Sequence, residues 1–236
     1  MSRKLIKPHV QEEEPGRMSS EDRRRQLIQV AIRLFSQNGF SGTTTKEIAL
    51  AAGVTEALIF RHFATKDDLY AAILDYKAGE AGVEEMLDEL SVYAERRDDE
   101  GLFSTLGSKI LEHYHKDLDF MRLMFYSALE RHKLAHNFCE KQFTPIQDFL
   151  SDYVALRQSE GAFRRCNPAA AVRAFIGMYV HHALANRLLQ FKVLDISDEE
   201  AIETFTQLFL GGLRLRPATR RARKPETGSG IKGKDL

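Results

Sequence analysis

The side chains best spaced for metal or acid-base chemistry lie in the middle of the chain. His132 and His136 are four residues apart, and Cys139 or Glu140 follows about one helical turn later. This spacing could place two imidazoles beside a thiolate or a carboxylate on one helix face. The surrounding residues are charged or amide side chains, typical of a helix that faces solvent. We therefore expect ordinary histidines, no metal site and no cofactor.

The sequence also lacks the common motifs of catalysis. It contains no GxSxG, P-loop or HExxH pattern. An enzyme that uses His113 or His132 as acid or base is a weaker alternative, and we expect the protein not to be an enzyme. Cys139 and Cys166 lack CxxC spacing, which favours plain thiols in a reducing compartment. No apolar run approaches the roughly 20 residues that span a bilayer, so we expect a cytoplasmic protein without membrane contact.

A second group of polar side chains lies in the stretch TTTKEIALAAGVTEALIFRHF, residues 43–63. Thr44 and Glu47 can form a capping box at the start of one helix. Gly53 can adopt a left-handed conformation and end that helix, and Thr55 can cap the next one. Two helices joined by such a turn form a helix-turn-helix, whose second helix can enter a DNA major groove.

The second helix of this pair has an unusually apolar outer surface. Ile59 and Phe63 can anchor it to a core, which leaves Leu58 and Phe60 near solvent. This favours a surface that a partner covers over a plain αα corner. The partner could be DNA or, in an alternative interpretation, a protein bound by a helical interaction module that does not contact DNA.

The stretch NGFSGTTTKEIALAAGVTEALIFRHFATKDDLYAAIL, residues 38–74, resembles the tetracycline-repressor-like (TetR/AcrR) family of bacterial transcriptional regulators. The matching positions are an aromatic residue after Gly, then Thr, Ile-Ala, Ala-Gly-Val, an aromatic residue, His-Phe, and finally Lys and Leu. The resemblance implies a ligand-responsive regulator, usually a repressor. Such a protein binds double-stranded DNA at a near-palindromic operator as a homodimer and is released by a small-molecule effector.

The resemblance also implies which side chains would contact the DNA backbone. Groups at the start of the first helix would bind phosphates on one side, and groups at the end of the second helix would bind them on the other. The residues at these positions are Thr44, Thr45, Lys46, His62 and Lys66. Arg61 could reach either a phosphate or a guanine, and the sequence leaves both open.

Base contacts are implied for the start of the second helix. Glu56 could accept a hydrogen bond from cytosine N4, and Ala57 and Leu58 could pack on thymine methyl groups. Thr55, which caps this helix, belongs to the same DNA-facing group. Phe60 stands where the family usually has Tyr, a departure that keeps the ring and removes a hydroxyl that would donate to phosphate.

The composition predicts an all-α protein that positions these groups. Trp is absent and Ala, Leu, Glu and Arg recur. The formal net charge is zero, but residues 1–66 carry 11 Lys and Arg against 7 Asp and Glu, and residues 67–213 carry 15 against 25. We predict a mobile N-terminal arm at 1–18, a helix-turn-helix DNA-binding domain at 19–66, a C-terminal helical ligand-binding and dimerisation domain at 67–213, and a disordered basic tail at 214–236.

Met and aromatic residues recur at helical spacing in the first half of the larger domain. Such a stripe suits either an ordinary core or an adaptable ligand cavity, and the sequence leaves this choice open. The candidate pocket residues are Phe103, Leu106, Ile110, Tyr114, Met121, Phe125 and Tyr126.

The last two predicted helices carry more apolar surface than one neighbour needs. One starts at Asn167 with Pro168 in its first turn. The other starts at a capping box of Ser197 and Glu200 and is predicted to stop at Gly211 or the following glycine. With the family resemblance, this predicts a dimer interface that contains Phe175, Met178, Tyr179, His182, Phe205 and Phe209.

Overall fold

The computed structural model describes residues 18–80, 82–190 and 196–215. Regular structure within these ranges is helical, which confirms the predicted all-α class. The helices are α1 (Ser20–Asn38), α2 (Thr45–Ala52), α3 (Glu56–His62), α4 (Lys66–Glu80), α5 (Val83–Glu95), α6 (Asp99–Lys116), α7 (Leu118–Leu129), α8 (Lys133–Ser159), α9 (Pro168–Ala183, continued by a π-helical turn Leu184–Leu188) and α10 (Asp198–Leu213). Among the described helices, none has the length and apolar character needed to cross a membrane. The predicted N-terminal arm up to residue 17 and the predicted basic tail from residue 216 lie outside the described residues.

The predicted starts of the last two helices, α9 and α10, are confirmed. Asn167 caps α9 by accepting a hydrogen bond from the backbone N–H of Ala170. Ser197 and Glu200 form the capping box of α10. The predicted stop at Gly211 or Gly212 is wrong, because α10 continues to Leu213.

Burial explains why α10 passes through two glycines. Leu210 and Leu213 are 2% and 3% exposed, on the face that packs into the body of the protein. A glycine inside a helix costs about 1 kcal/mol relative to alanine, and burying a leucine contributes more than that.

The helices pack around two apolar cores. The first joins α1 to α4, which together we call the head, with Phe120 and Leu123 of α7 and Ala135 of α8. Tyr70 and other residues of α4 are fully buried in it, so this core extends past the boundary predicted after residue 66. The domain limits themselves stay a prediction.

The second core lies in the body, which consists of α5 to α10. The Phe103 ring of α6 packs with its centroid 5.0 Å from that of Phe175 on α9 and 4.7 Å from that of Phe209 on α10. Gly107 lets α9 approach closely, because a Cβ at this position would lie 2.4 Å from Cζ of Tyr179. The last two helices are therefore held against α6.

Candidate nucleic-acid interface

The turn between α2 and α3 forms as its residue types predict. The backbone N–H of Glu47 donates to Oγ1 of Thr44 at 3.2 Å, and Glu47 Oε2 accepts from the backbone N–H of Thr44 at 2.7 Å. Hydrogen bonds from the Thr44 backbone and hydroxyl hold the pKa of Glu47 below its ordinary value. Gly53 ends α2 in the left-handed region, with φ 67° and ψ 33°. This fixes the angle at which α3 leaves α2.

Helix α3 is anchored by two apolar residues. Ile59 and Phe63 are 1% and 3% exposed within the head core, as the sequence predicts. On the other face, Ala57, Arg61 and Phe60 are exposed, Phe60 to 47%. The remaining predicted DNA-facing residues of α3, Glu56, Leu58 and His62, are half-buried. The outer face of α3 is thus a mixed apolar and cationic surface.

Glu56 is tied to the preceding helix. The hydroxyl of Thr45, in the first turn of α2, donates a hydrogen bond to the Glu56 carboxylate. Thr55 occupies the N-cap position of α3 but forms no side-chain capping bond. Thr45, predicted to contact a phosphate, and Glu56, predicted to contact a base, are therefore hydrogen-bonded to each other. This bond limits the directions in which the Glu56 carboxylate can point.

Lys66 makes contacts within the head that the sequence did not predict. Its ammonium donates to the backbone carbonyl of Phe40 at 2.8 Å and to that of Thr43 at 3.0 Å. It also lies 4.1 Å from the centroid of the Phe40 ring. Because an ammonium has three donors, at most one remains for a phosphate. Lys66 thus holds the loop between α1 and α2, whereas Thr44 and Lys46 at the start of α2 are exposed.

Several contacts that the sequence did not predict hold the head against α7 and the residue that follows it. The Glu130 carboxylate accepts hydrogen bonds from the backbone N–H groups of Phe40 and Ser41, both at 3.1 Å. The hydroxyls of Tyr70 and Ser127 share a hydrogen bond in the interior. These partners are separated by 57 to 90 residues, and no local pattern indicates such pairs.

The candidate pocket residues lie mostly inside the body core. Phe103, Leu106, Tyr114 and Met121 are buried, and Ile110 and Phe125 are half-buried against the same core. Tyr126 is the exception, since its hydroxyl donates to the backbone carbonyl of Gln37 on α1. Two surface cavities, of about 360 and 430 Å³, are lined by other residues. A ligand pocket at the seven predicted residues stays a prediction, with Tyr126 placed against the head.

The candidate dimer residues are mostly buried within one chain. The structure buries four of the six inside the protomer: Phe175, Tyr179, His182 and Phe209. They pack there because α9 and α10 lie on α6. Met178 and Phe205 are half-buried. A partner chain would meet the outer faces of these helices, where Leu208 is 64% exposed.

The spaced histidines do not form a metal site with their neighbours. Within the described ranges, no group of three or more His, Cys, Asp or Glu side chains is arranged to hold a metal ion. The His132 ring packs 4.4 Å from the Phe40 ring and 4.5 Å from the Tyr70 ring, centroid to centroid. His132 is therefore a packed histidine that lies between the head and the body. Burial raises the pKa of the nearby Cys139 thiol, which disfavours the reactive thiolate.

Comparison with known proteins gives a consistent result. Residues 27–73 match the family model of bacterial regulatory proteins of the tetR family. The chain is 24% identical over 189 residues to the transcriptional regulator YvkB of Bacillus subtilis, in an alignment that covers 80% of this chain and 96% of that protein. It is 26% identical over 210 residues to the regulator TtgR of Pseudomonas putida, with 86% and 96% coverage.

A solved structure shows the same fold. The regulator AibR, crystallised in complex with isovaleryl coenzyme A and operator DNA, superposes with a TM-score of 0.60 at 21% sequence identity. The superposition covers 79% of this chain and 97% of that one.

Proposed function

We propose that this chain is a ligand-responsive transcriptional repressor. The premise is that it belongs to the TetR/AcrR family of bacterial regulatory proteins. As a homodimer it binds a near-palindromic operator, and a small effector bound by the body lowers its affinity for that operator. A cytoplasmic location and a regulatory rather than catalytic role belong to the same proposal.

The outer face of α3 is the observation that carries the proposal. Its exposed residues include Phe60 and Arg61, while Ile59 and Phe63 fix the helix from below. A helix held in this way presents its N-terminal side chains to base edges in a major groove. Leu58 is half-buried and can pack on a thymine methyl group, and the Arg61 guanidinium can reach a phosphate or a guanine.

Phosphate contacts would flank this helix. Thr44 and Lys46 are exposed at the start of α2, where unpaired backbone N–H groups also favour an anion. On the far side, His62 is half-buried and Lys66 has at most one donor left. We therefore assign most of the salt-dependent affinity to the α2 side of the interface.

The second copy would dock on the outer faces of α9 and α10. Ala174, Gly177 and His181 follow one exposed line along α9, and Leu208 and Gly211 are exposed on α10. A Cβ at Gly177 or Gly211 would meet no heavy atom within 4 Å beyond its chain neighbours and the backbone of its own helix. These faces can therefore accept a closely packed partner, and two heads could then read half-sites about 34 Å apart.

Selection of bound sequences from a random DNA pool tests the proposal. The purified full chain and its Leu58→Ala variant are compared at low and near-physiological salt. We expect an inverted repeat with half-sites about one helical turn apart or slightly more, and a changed preference at one or two positions in the variant, worth about 1–3 kcal/mol each. Recovery of no specific sequence at either salt concentration would reject DNA recognition. Equal weakening of the variant on every sequence would remove Leu58 from base reading.

A further inference from the structure

A cavity of about 430 Å³ opens at the turn between α7 and α8, next to the head. We call it the turn cavity. Its lining contains Met124 and Ala135, which give it an apolar floor, and Arg131, Lys133 and His136, which are exposed at its edge. The cavity is separate from the seven candidate pocket residues, since none of them lines it.

The edge of the turn cavity carries two cationic side chains that form no ion pair with the described acids around them. Among the described residues, neither Arg131 nor Lys133 has an ion-pair partner within 4.0 Å. The nearby acids have other partners: Glu130 accepts from backbone N–H groups of the head, Glu140 lies 3.3 Å from His136 on the same helix, and Asp67 lies 3.5 Å from His132. A guanidinium and an ammonium on one edge favour a ligand with a carboxylate, which can accept several charge-assisted hydrogen bonds.

The start of α8 also favours a negatively charged ligand group. Its N-cap, His132, makes no side-chain capping bond, and its first turn contains no acidic residue. The first backbone N–H groups of a helix lack partners within the helix and carry a partial positive charge. Their effect adds to that of the two side-chain cations at the edge.

The lining also contacts the head. Ser127, which lines the turn cavity, shares a hydrogen bond with the Tyr70 hydroxyl of α4. His132, which also lines it, packs against the rings of Phe40 and Tyr70. A ligand in the turn cavity would therefore touch two side chains that themselves support the head.

We propose that the turn cavity binds a small amphipathic carboxylate, with its carboxylate on Arg131 and Lys133 and its apolar chain on Met124 and Ala135. The further statement that this ligand acts as the effector rests on the proposed repressor function. Binding itself does not require DNA, so the two statements are tested separately.

Calorimetric titration of the full chain without DNA tests the site. The probes are octanoate, octanol and octylamine, which share a chain and differ in the charge of the head group. The variants are Arg131→Gln with Lys133→Gln, and Lys141→Gln as a matched control, because Lys141 is an exposed cation on α8 outside the cavity lining. Thermal unfolding confirms that each variant is folded.

We expect octanoate to bind more tightly than octanol or octylamine. The double variant should weaken octanoate binding about tenfold or more, as the loss of charge-assisted hydrogen bonds implies, and Lys141→Gln should leave it within about twofold. Equal affinity for octanoate and octanol, tighter binding of octylamine, or an unaffected double variant would overturn the site. Octanoate binding that leaves operator affinity unchanged would retain the site and reject its role as effector site.

Discussion

The carboxylate of Glu130, directly after α7, accepts a hydrogen bond from the backbone N–H of Phe40, which lies 90 residues earlier in the chain. The same carboxylate accepts from the N–H of Ser41. One side chain of the body thus holds the loop that precedes the helix-turn-helix. Since Glu130 adjoins the turn cavity in sequence, this bond also lies close to the proposed ligand site.

The first prediction concerns this bond. Glu130→Ala should remove the acceptor of two backbone N–H groups and increase amide hydrogen exchange at Phe40 and Ser41 by about tenfold, equivalent to roughly 1.4 kcal/mol. Hydrogen exchange followed by NMR measures this directly. Glu140→Ala is the matched control, because Glu140 pairs only with His136 on its own helix among the described residues. Unchanged protection at both amides in the Glu130 variant would show that the bond does not hold the loop.

A second prediction separates two lysines of the head. Lys66→Ala should lower the free energy of unfolding by about 1–3 kcal/mol, because the carbonyls of Phe40 and Thr43 lose a charged donor. Lys46→Ala should leave stability within about 0.5 kcal/mol and lower the slope of log affinity against log salt by about 0.9. Urea unfolding and DNA binding at several salt concentrations measure these effects. A stable Lys66 variant with a reduced salt slope would reverse the two assignments.

The helix-turn-helix could be predicted from sequence because its signals are local. The capping box of Thr44 and Glu47 and the left-handed Gly53 each act within four residues. The spacing of Ile59 and Phe63 likewise identifies the buried side of α3. Such features depend on backbone geometry more than on the rest of the fold.

The contacts of Lys66 and Tyr126 could not be predicted in the same way. Lys66 follows α3 in the chain, yet its ammonium binds carbonyls 23 and 26 residues earlier. Tyr126 belongs to an aromatic stripe, yet its hydroxyl reaches α1. Periodicity identifies the apolar face of a helix but not the neighbour that covers it. Phe175 and Tyr179 could therefore be assigned to an apolar face, but the sequence did not show that α6 buries that face.

A third prediction tests the packing of α6 against α9. Gly107→Ala should destabilise the protein by about 1–3 kcal/mol, because the added methyl group would overlap the buried Tyr179 ring. The Tyr179 hydroxyl is also hydrogen-bonded to Thr206 at 3.0 Å, which restricts its movement. Gly79→Ala on α4 is the control, since its Cβ would have open space and should stabilise the helix by up to about 1 kcal/mol. Urea unfolding measures both, and an equal or higher stability of the Gly107 variant would contradict the close packing.

A fourth prediction concerns acid stability at the start of α10. Asp198 accepts hydrogen bonds from His115 of α6 and from His182 of α9, the latter at 3.1 Å. Burial acts to raise the pKa of Asp198, but the two histidine hydrogen bonds outweigh it and hold the pKa below its ordinary value. The unfolded chain therefore binds this proton more readily than the folded chain does. The stabilisation is present above the ordinary pKa of about 3.9 and is lost as the pH falls through the lower folded value.

Replacement of this carboxylate should therefore remove the part of the stability that is lost when the wild type is acidified. Asp198→Asn should be less stable than the wild type at about pH 6. The difference should shrink as the pH falls below about 4, because the unfolded wild-type chain takes up the proton first, and it should be lost once the pH passes the lower pKa of the folded carboxylate. Urea unfolding at a series of pH values measures both curves. Asp152→Asn is the control, because Asp152 is exposed on α8 and has no ion-pair partner among the described residues. A constant difference between wild type and the Asp198 variant across this range would show that the two histidines do not hold the carboxylate in its charged form.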